Sequence, residues 1–505
     1  MTSARVTRPF PDLTRAAIAA TLVLLALHLW AAARLEFMFD EAYYSLWARR
    51  LAWGYHDHPP GVAVWIRAST SVFGASEAGT RALGALATAA GSLAIYFTAL
   101  DLFGDRQKGA LAALIWNACP LIGVGAILVT PDTPLMFGWT MALWALARLY
   151  RTGDWRWWLV VGFAAGLALE AKYTALFLGP GILLAMLVVP ELRRWWRHPA
   201  PYVGGAIALA VFLPNIVWNA RHSWQTFVKQ FGRVAETEWT LRFVGEFLGS
   251  QIGLLNPLTF VLVVLGFFWS VTGPDNSGRG GRRLLAALSA PLLIFLTLHS
   301  LHDRVQGNWL APLYPGFALL AADVADINIG GPSWVKWLQA AARVWAVPLG
   351  LVLTAAIYVQ AMWSPLPVPP RADPTALLSG WRELARDLDA IAARENAGYV
   401  LTQGYALTGL LKVYAPGNRP VLQFNERQRW SFDASEGRPD ANRAGLYIVE
   451  TKRAGDTVLR DRFGEIAEIA RLDRRGHGHV LESYAVYRVA LPTAAILDQL
   501  TTEKR

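Results

Sequence analysis

Between residues 16 and 362 the sequence returns repeatedly to apolar runs of about 20 residues, the length that crosses a bilayer core as a helix. Lipid offers no water to backbone N–H and C=O groups, so a chain that crosses it must satisfy them internally. Long runs without two-residue alternation do this as α-helices. Candidate spans are 16–34, 82–103, 109–129, 134–150, 157–173, 175–190, 202–219, 253–272, 284–299, 308–323 and 341–362, about eleven in all. Composition agrees. Of 505 residues, 54% are hydrophobic and 17% charged, against about 25% charged in a soluble domain. The 23 tryptophans suit interfacial belts. A single cysteine, Cys119, rules out an internal disulfide framework.

The net charge of +10 is mostly arginine, clustered between the apolar runs. It reads as a topology signal and a match for anionic lipid headgroups, not as a nucleic-acid surface. The first run follows Arg5, Arg8 and Arg15 without a small-residue cleavage site, so a retained anchor helix is expected. With the N-terminus inside, the cytoplasmic loops hold Arg106 and Lys108, then Arg148, Arg151 and Arg156, then Arg193, Arg194 and Arg197, then Arg279, Arg282 and Arg283. The loop near Asn328 is basic only at Lys336. An odd number of spans places the C-terminal tail outside, together with every chemically rich loop.

Three regions are predicted: a membrane domain over 1–362 with a first outer loop at 35–81, a proline-rich linker at 363–374, and a soluble α/β domain over 375–505. In that domain 378–396 reads as a helix, with short strands at 399–402, 446–450 and 484–489. Two short helices are expected to lie on the membrane surface. One spans 41–51, with Asp40 as N-cap and Tyr43, Leu46, Trp47 and Arg50 on one face. The other carries Trp224, Phe227, Val228 and Phe231, with Arg221 and Lys229 elsewhere around it.

The first outer loop holds Asp40, Glu41, Tyr44, His56, Asp57 and His58 ahead of Pro59-Pro60. Charge at such a depth is costly, which points to function. Asp40 suits a general base on an acceptor hydroxyl, with helix capping as the plain alternative. Glu41 would orient Asp40 or bind acceptor. His58 would offer a donor or positive charge to a phosphate, with Asp57 holding its tautomer or serving as a second acid. The alternative is a rigid turn fixed by the prolines. Two histidines and an acid at this spacing, with no third strong ligand, admit a divalent metal without indicating one, and no cofactor is required. Asp132, in Thr130-Pro131-Asp132-Thr133-Pro134, is expected to cap the next helix, to face the same cleft as Asp40, or to do both together. Lys172 is a snorkelling lysine or a phosphate ligand. Arg81, Arg221 and Arg304 are further candidate phosphate ligands. His302 to Trp309, with Asn308, reads as a binding loop.

At Asp40-Glu41-Ala42-Tyr43-Tyr44, His58-Pro59-Pro60, Thr130 to Pro134, Lys172-Tyr173-Thr174, Asn308-Trp309 and Tyr314-Pro315 the chain resembles the polyprenyl-phosphate-sugar-dependent glycosyltransferases of the GT-C fold. The similar branch contains the lipid A aminoarabinose and galacturonic acid transferases, akin to protein O-mannosyltransferases. Where His58 stands, the aminoarabinose enzymes carry lysine. The resemblance covers about residues 15–325 and implies Asp40 as the catalytic base with Asp57 and Asp132 lining the cavity. It implies an inverting transferase in a bacterial inner membrane, with its site and C-terminal domain on the periplasmic side. It would move sugar from a polyprenyl-phosphate donor to a glycolipid or protein acceptor, with lipid A or lipopolysaccharide preferred. The rival readings are a transporter for lipid-linked sugar and a binding protein built on the C-terminal domain. Against the transporter, the sequence shows no inverted repeat and its polar loops fall on one side.

Overall fold

A computed structural model describes residues 12–231, 239–274, 278–433, 440, 442–455, 459–494 and 496. Arg5 and Arg8, and the side chain of Phe231, lie outside the described residues. The membrane domain runs α1 (Leu13–Ala32), α2 (Phe39–Arg49), α3 (Gly61–Phe73), α4 (Glu77–Phe103), α5 (Arg106–Ala118), α6 (Pro120–Gly125), α7 (Asp132–Thr152) and α8 (Trp157–Ala171). It continues with α9 (Leu178–Val188), α10 (Ala200–Arg221), α11 (Gln225–Phe231), α12 (Arg242–Leu255), α13 (Pro257–Thr272), α14 (Arg279–His299), α15 (Tyr314–Ala325) and α16 (Ser333–Trp363).

Each expected span coincides with a helix, but the lengths differ. Among the described residues five helices (α1, α4, α10, α14 and α16) are long and apolar enough to cross a membrane alone. The number rises to seven if two pairs bent by more than 40° each count as one span. The expected 109–129 span breaks at Pro120, which has no N–H to continue a helix. The 308–323 span begins as a 3-10 turn, Gly307–Leu313, before α15. Ser76 caps α4 by accepting from the Gly79 N–H, and Gly104 ends it at φ 66°, a left-handed turn that glycine adopts without strain. Val352 and Val344 on α16 face outward, and Trp334, Trp337 and Trp363 stand exposed near its ends, as a lipid-facing helix requires.

The C-terminal domain is built from α17 (Trp381–Arg394), β1 (Tyr399–Thr402), α18 (Tyr405–Tyr414), β2 (Val421–Gln423), β3 (Gly445–Glu450), β4 (Phe463–Gly476) and β5 (His479–Pro492). The sheet order is β2-β1-β3-β5-β4. β1 pairs in parallel with β2 and β3, and β5 is antiparallel to β3 and β4. The parallel β1–β2 pair needs a crossover, and α18 supplies it.

One face of the sheet packs on α17 and α18, and that core includes Phe37 and Ala42 from the first loop. Helix α2 therefore lies between the two domains. Its residues Glu41 to Ala48 are all buried. This corrects the expected surface helix: the C-terminal domain covers the side that lipid headgroups would have met.

Candidate active site

The N-terminus of α2 does not use Asp40 as its cap. Met38 holds the cap position, and Glu41 reaches back to accept from its N–H at 3.1 Å. Glu41 is wholly buried and tied elsewhere as well. It takes two hydrogen bonds from Arg81, at 2.8 and 2.6 Å, and one from the Val129 N–H at 3.0 Å. Arg81, equally buried, donates on to the carbonyls of Ala32, Leu35 and Glu36. Glu41, expected to orient Asp40 or bind acceptor, and Arg81, a candidate phosphate ligand, instead form a clamp that fixes the chain around α2. Every strong donor or acceptor they own is spent on the protein.

With the cap closed by its neighbour, Asp40 is free to point elsewhere. Its Oδ1 accepts from the Tyr405 hydroxyl at 3.0 Å, across a separation of 365 residues. It forms no ion pair among the described residues. Burial pushes its carboxyl up to about 6 against the Tyr405 hydrogen bond, with Asp57 and Glu41 adding to the rise.

Asp57 sits in the opposite state. Its oxygens pair with Lys229 at 2.9 Å and Arg429 at 2.6 Å, and the Tyr43 hydroxyl donates to it at 3.0 Å. Burial works against its charge, but the Arg429 guanidinium and Lys229 ammonium hold it below the usual carboxylate range. Gln230 donates to the Asp57 carbonyl at 2.7 Å, and His56 shares a hydrogen bond with Gln225 at 3.2 Å. Helix α11 thus closes over the loop.

Asp132 heads α7 and is held by Lys172 at 2.7 Å and by the Asn308 amide at 2.6 Å. His58 lies between these groups, its ring 6.3 Å from that of Tyr44. Burial and the nearby Lys172 lower its pKa to about 4, so it is a neutral donor or acceptor near pH 7 rather than the positive charge considered from sequence.

The structure therefore brings Asp40, Tyr44, Asp57, His58, Asp132, Lys172 and Asn308 into one linked polar cluster. Arg304 stays apart, half-exposed and paired with Glu246 at 2.7 Å. Arg221 is exposed at the end of α10. Among the described residues no group of three or more His, Cys, Asp or Glu is placed to hold a metal ion. Sequence reasoning missed Tyr405 and Arg429. Nothing local to either joins it to residues more than 350 positions earlier, and the basic-aromatic run Arg427 to Trp430 was the only available signal.

Comparison with known proteins agrees with this architecture. The family described as dolichyl-phosphate-mannose-protein mannosyltransferase matches residues 57–218. The fold is shared with the crystal structure of ArnT from Cupriavidus metallidurans bound to undecaprenyl phosphate. That match has a TM-score of 0.65 and 15% identity, and covers 96% of this chain and 99% of the other. An archaeal oligosaccharyltransferase, AglB from Archaeoglobus fulgidus, matches at a TM-score of 0.52 and 11% identity, covering 87% of this chain and 69% of its own. The fold and the membrane helices are those of the GT-C architecture, and the family match together with the relatives below supports a multi-pass membrane glycosyltransferase. Within that class the sequence is 27% identical to a lipid A galacturonosyltransferase of Rhizobium johnstonii, over 75% of this chain and 79% of that one. It is 29% identical to a lipopolysaccharide core galacturonosyltransferase of the same organism, over 57% and 60%.

Proposed function

We propose that the chain transfers a sugar, with inversion, from a polyprenyl-phosphate carrier to lipid A or lipopolysaccharide at the periplasmic face of a bacterial inner membrane. Galacturonic acid is the donor sugar that the two curated relatives favour. The observation that carries the reading is the unequal treatment of three acids in one polar cluster. Asp57 and Asp132 each have a cation, and Asp40 has only a hydroxyl.

An unpaired, partly buried carboxylate titrating near neutrality suits a general base. The acceptor hydroxyl gives its proton to Asp40 as its oxygen attacks the anomeric carbon. The new C–O bond forms while the bond to the carrier oxygen breaks, and polyprenyl phosphate leaves with the electron pair. Lys172, which has donors beyond the one bound to Asp132, stabilises the growing phosphate charge, with His58 and Asn308 as neutral partners. A phosphate is a good leaving group, so one carboxylate suffices.

The test incubates membranes containing wild-type or Asp40→Asn protein with a panel of polyprenyl-phosphate sugars and total lipid extract, followed by mass spectrometry. A new glycolipid made only by the wild type supports the reading. A glycosylated protein instead would move the acceptor, and labelled donor crossing vesicles without product would overturn transfer in favour of transport.

A further inference from the structure

The C-terminal domain packs directly on α2 and the first loop. Helix α18 lies against α2 at Gly409, where an added Cβ would stand 3.3 Å from the Tyr43 backbone nitrogen. One turn earlier on α18, Tyr405 meets Asp40. The Tyr405 ring is held from two directions. Tyr43 packs with its ring centre 5.3 Å away, and the Arg429 guanidinium lies 4.6 Å over its face. Arg429 is itself fixed by Asp57 and by Glu426, each at 2.6 Å. The Tyr43 hydroxyl lies 3.0 Å from both the Asp57 carboxylate and the Arg429 carbonyl. A ring so constrained has little freedom to swing its hydroxyl away from Asp40.

We propose that Tyr405 is a positioning residue for the reaction, holding Asp40 Oδ1 so that Oδ2 faces the acceptor hydroxyl. This rests on the transfer reading above, but the placement of the carboxylate can be tested without it. The charged and titratable groups facing Asp40 are Glu41 and Tyr44 on its own helix, Asp57 in the loop, and Tyr405 and Arg429 from the C-terminal domain. Of these, Tyr405 gives the one hydrogen bond to the carboxylate among the described residues. A hydrogen bond to the charged form favours that form.

The experiment compares wild type, Tyr405→Phe and Tyr414→Phe in full-length protein. Tyr414 lies on the same helix but bonds Glu77 and the Phe37 N–H instead of Asp40. Two readouts are taken across pH 5–8. One is labelling of Asp40 by a carbodiimide, which reacts with the protonated carboxyl and is read by peptide mass spectrometry. The other is kcat/KM with undecaprenyl-phosphate galacturonic acid and lipid A. In Tyr405→Phe the labelling midpoint and the acid limb of the rate both move to higher pH, by about one unit. The rate falls roughly fivefold more at pH 6 than above about pH 8, where a pH-independent loss of several-fold remains because the ionised carboxylate is no longer oriented. Tyr414→Phe shifts neither. An unmoved labelling midpoint in Tyr405→Phe, or an equal shift in Tyr414→Phe, overturns the proposal. A shifted midpoint without product from any wild-type reaction supports the positioning role and overturns the transfer reading instead.

Discussion

The two ends of the helical bundle solve the same electrostatic problem differently. At the end away from the first loop, Asp323 is shared by Lys108 and Arg282, and Asp101 by Arg148 and Arg151. Each of these two acids has two cations. At the loop end Asp57 follows the same pattern with Lys229 and Arg429. Asp132 has one cation and an amide, and Asp40 has none. Buried charge is tolerated when it is paired and becomes costly when it is not. Among Asp40, Asp57 and Asp132, the acid left unpaired is the one that no cation accounts for, which is a better pointer to chemistry than the number of acids.

The sharpest way to break this comparison is to neutralise the odd acid. Asp40→Asn keeps an acceptor oxygen for Tyr405 and should fold normally, yet lose about 10²–10⁴-fold in turnover by the glycolipid assay. An active Asp40→Asn enzyme would end the distinction between the ends. Next comes the clamp. Glu41→Gln leaves the Arg81 charge buried without its partner and should cost about 3–5 kcal/mol, read as a large fall in melting temperature in detergent.

The pH response separates the two roles of Asp40. With Asp40 as the proposed base, the ionised carboxylate is the active form, so kcat/KM should fall as pH drops through about 6. Stability runs the other way. Between the usual carboxylate range near 4 and about 6, the folded protein holds a proton that the unfolded chain releases. This group therefore makes folding less favourable as pH rises through that window, and Asp40→Asn should flatten the dependence in melts at pH 4.5 and 6.5.

A smaller effect is expected at the opposite end. Asp323→Asn should lower stability by about 1–3 kcal/mol while turnover per folded molecule stays at the wild-type value. Smallest of all, Arg304→Ala, removing an exposed pair with Glu246, should leave both melting and turnover within error.

Much of this was legible in the sequence because helices in lipid announce themselves locally. The apolar runs found every long helix, and β1 fell on the expected residues. Asp40, Asp57 and Asp132 stood out because acids at such depths have few structural excuses. What remained hidden depends on distant partners. Glu41 and Asp40 are adjacent acids, and only the fold reveals that Arg81 takes one and leaves the other. The 41–51 segment has the pattern of a surface helix, because an apolar stripe looks the same whether lipid or a second domain covers it. Tyr405 and Arg429 sit in a soluble domain whose local pattern says nothing about where it docks.

That docking has a consequence for biosynthesis. Asp40 leaves the ribosome early, whereas Tyr405 and Arg429 follow more than 350 residues later. A chain that ends before α18 carries Asp40 without its Tyr405 partner. On the roles proposed for Asp40 and Tyr405, the site is complete only with the last fifth of the polypeptide, so a half-made molecule would hold the base without its partner.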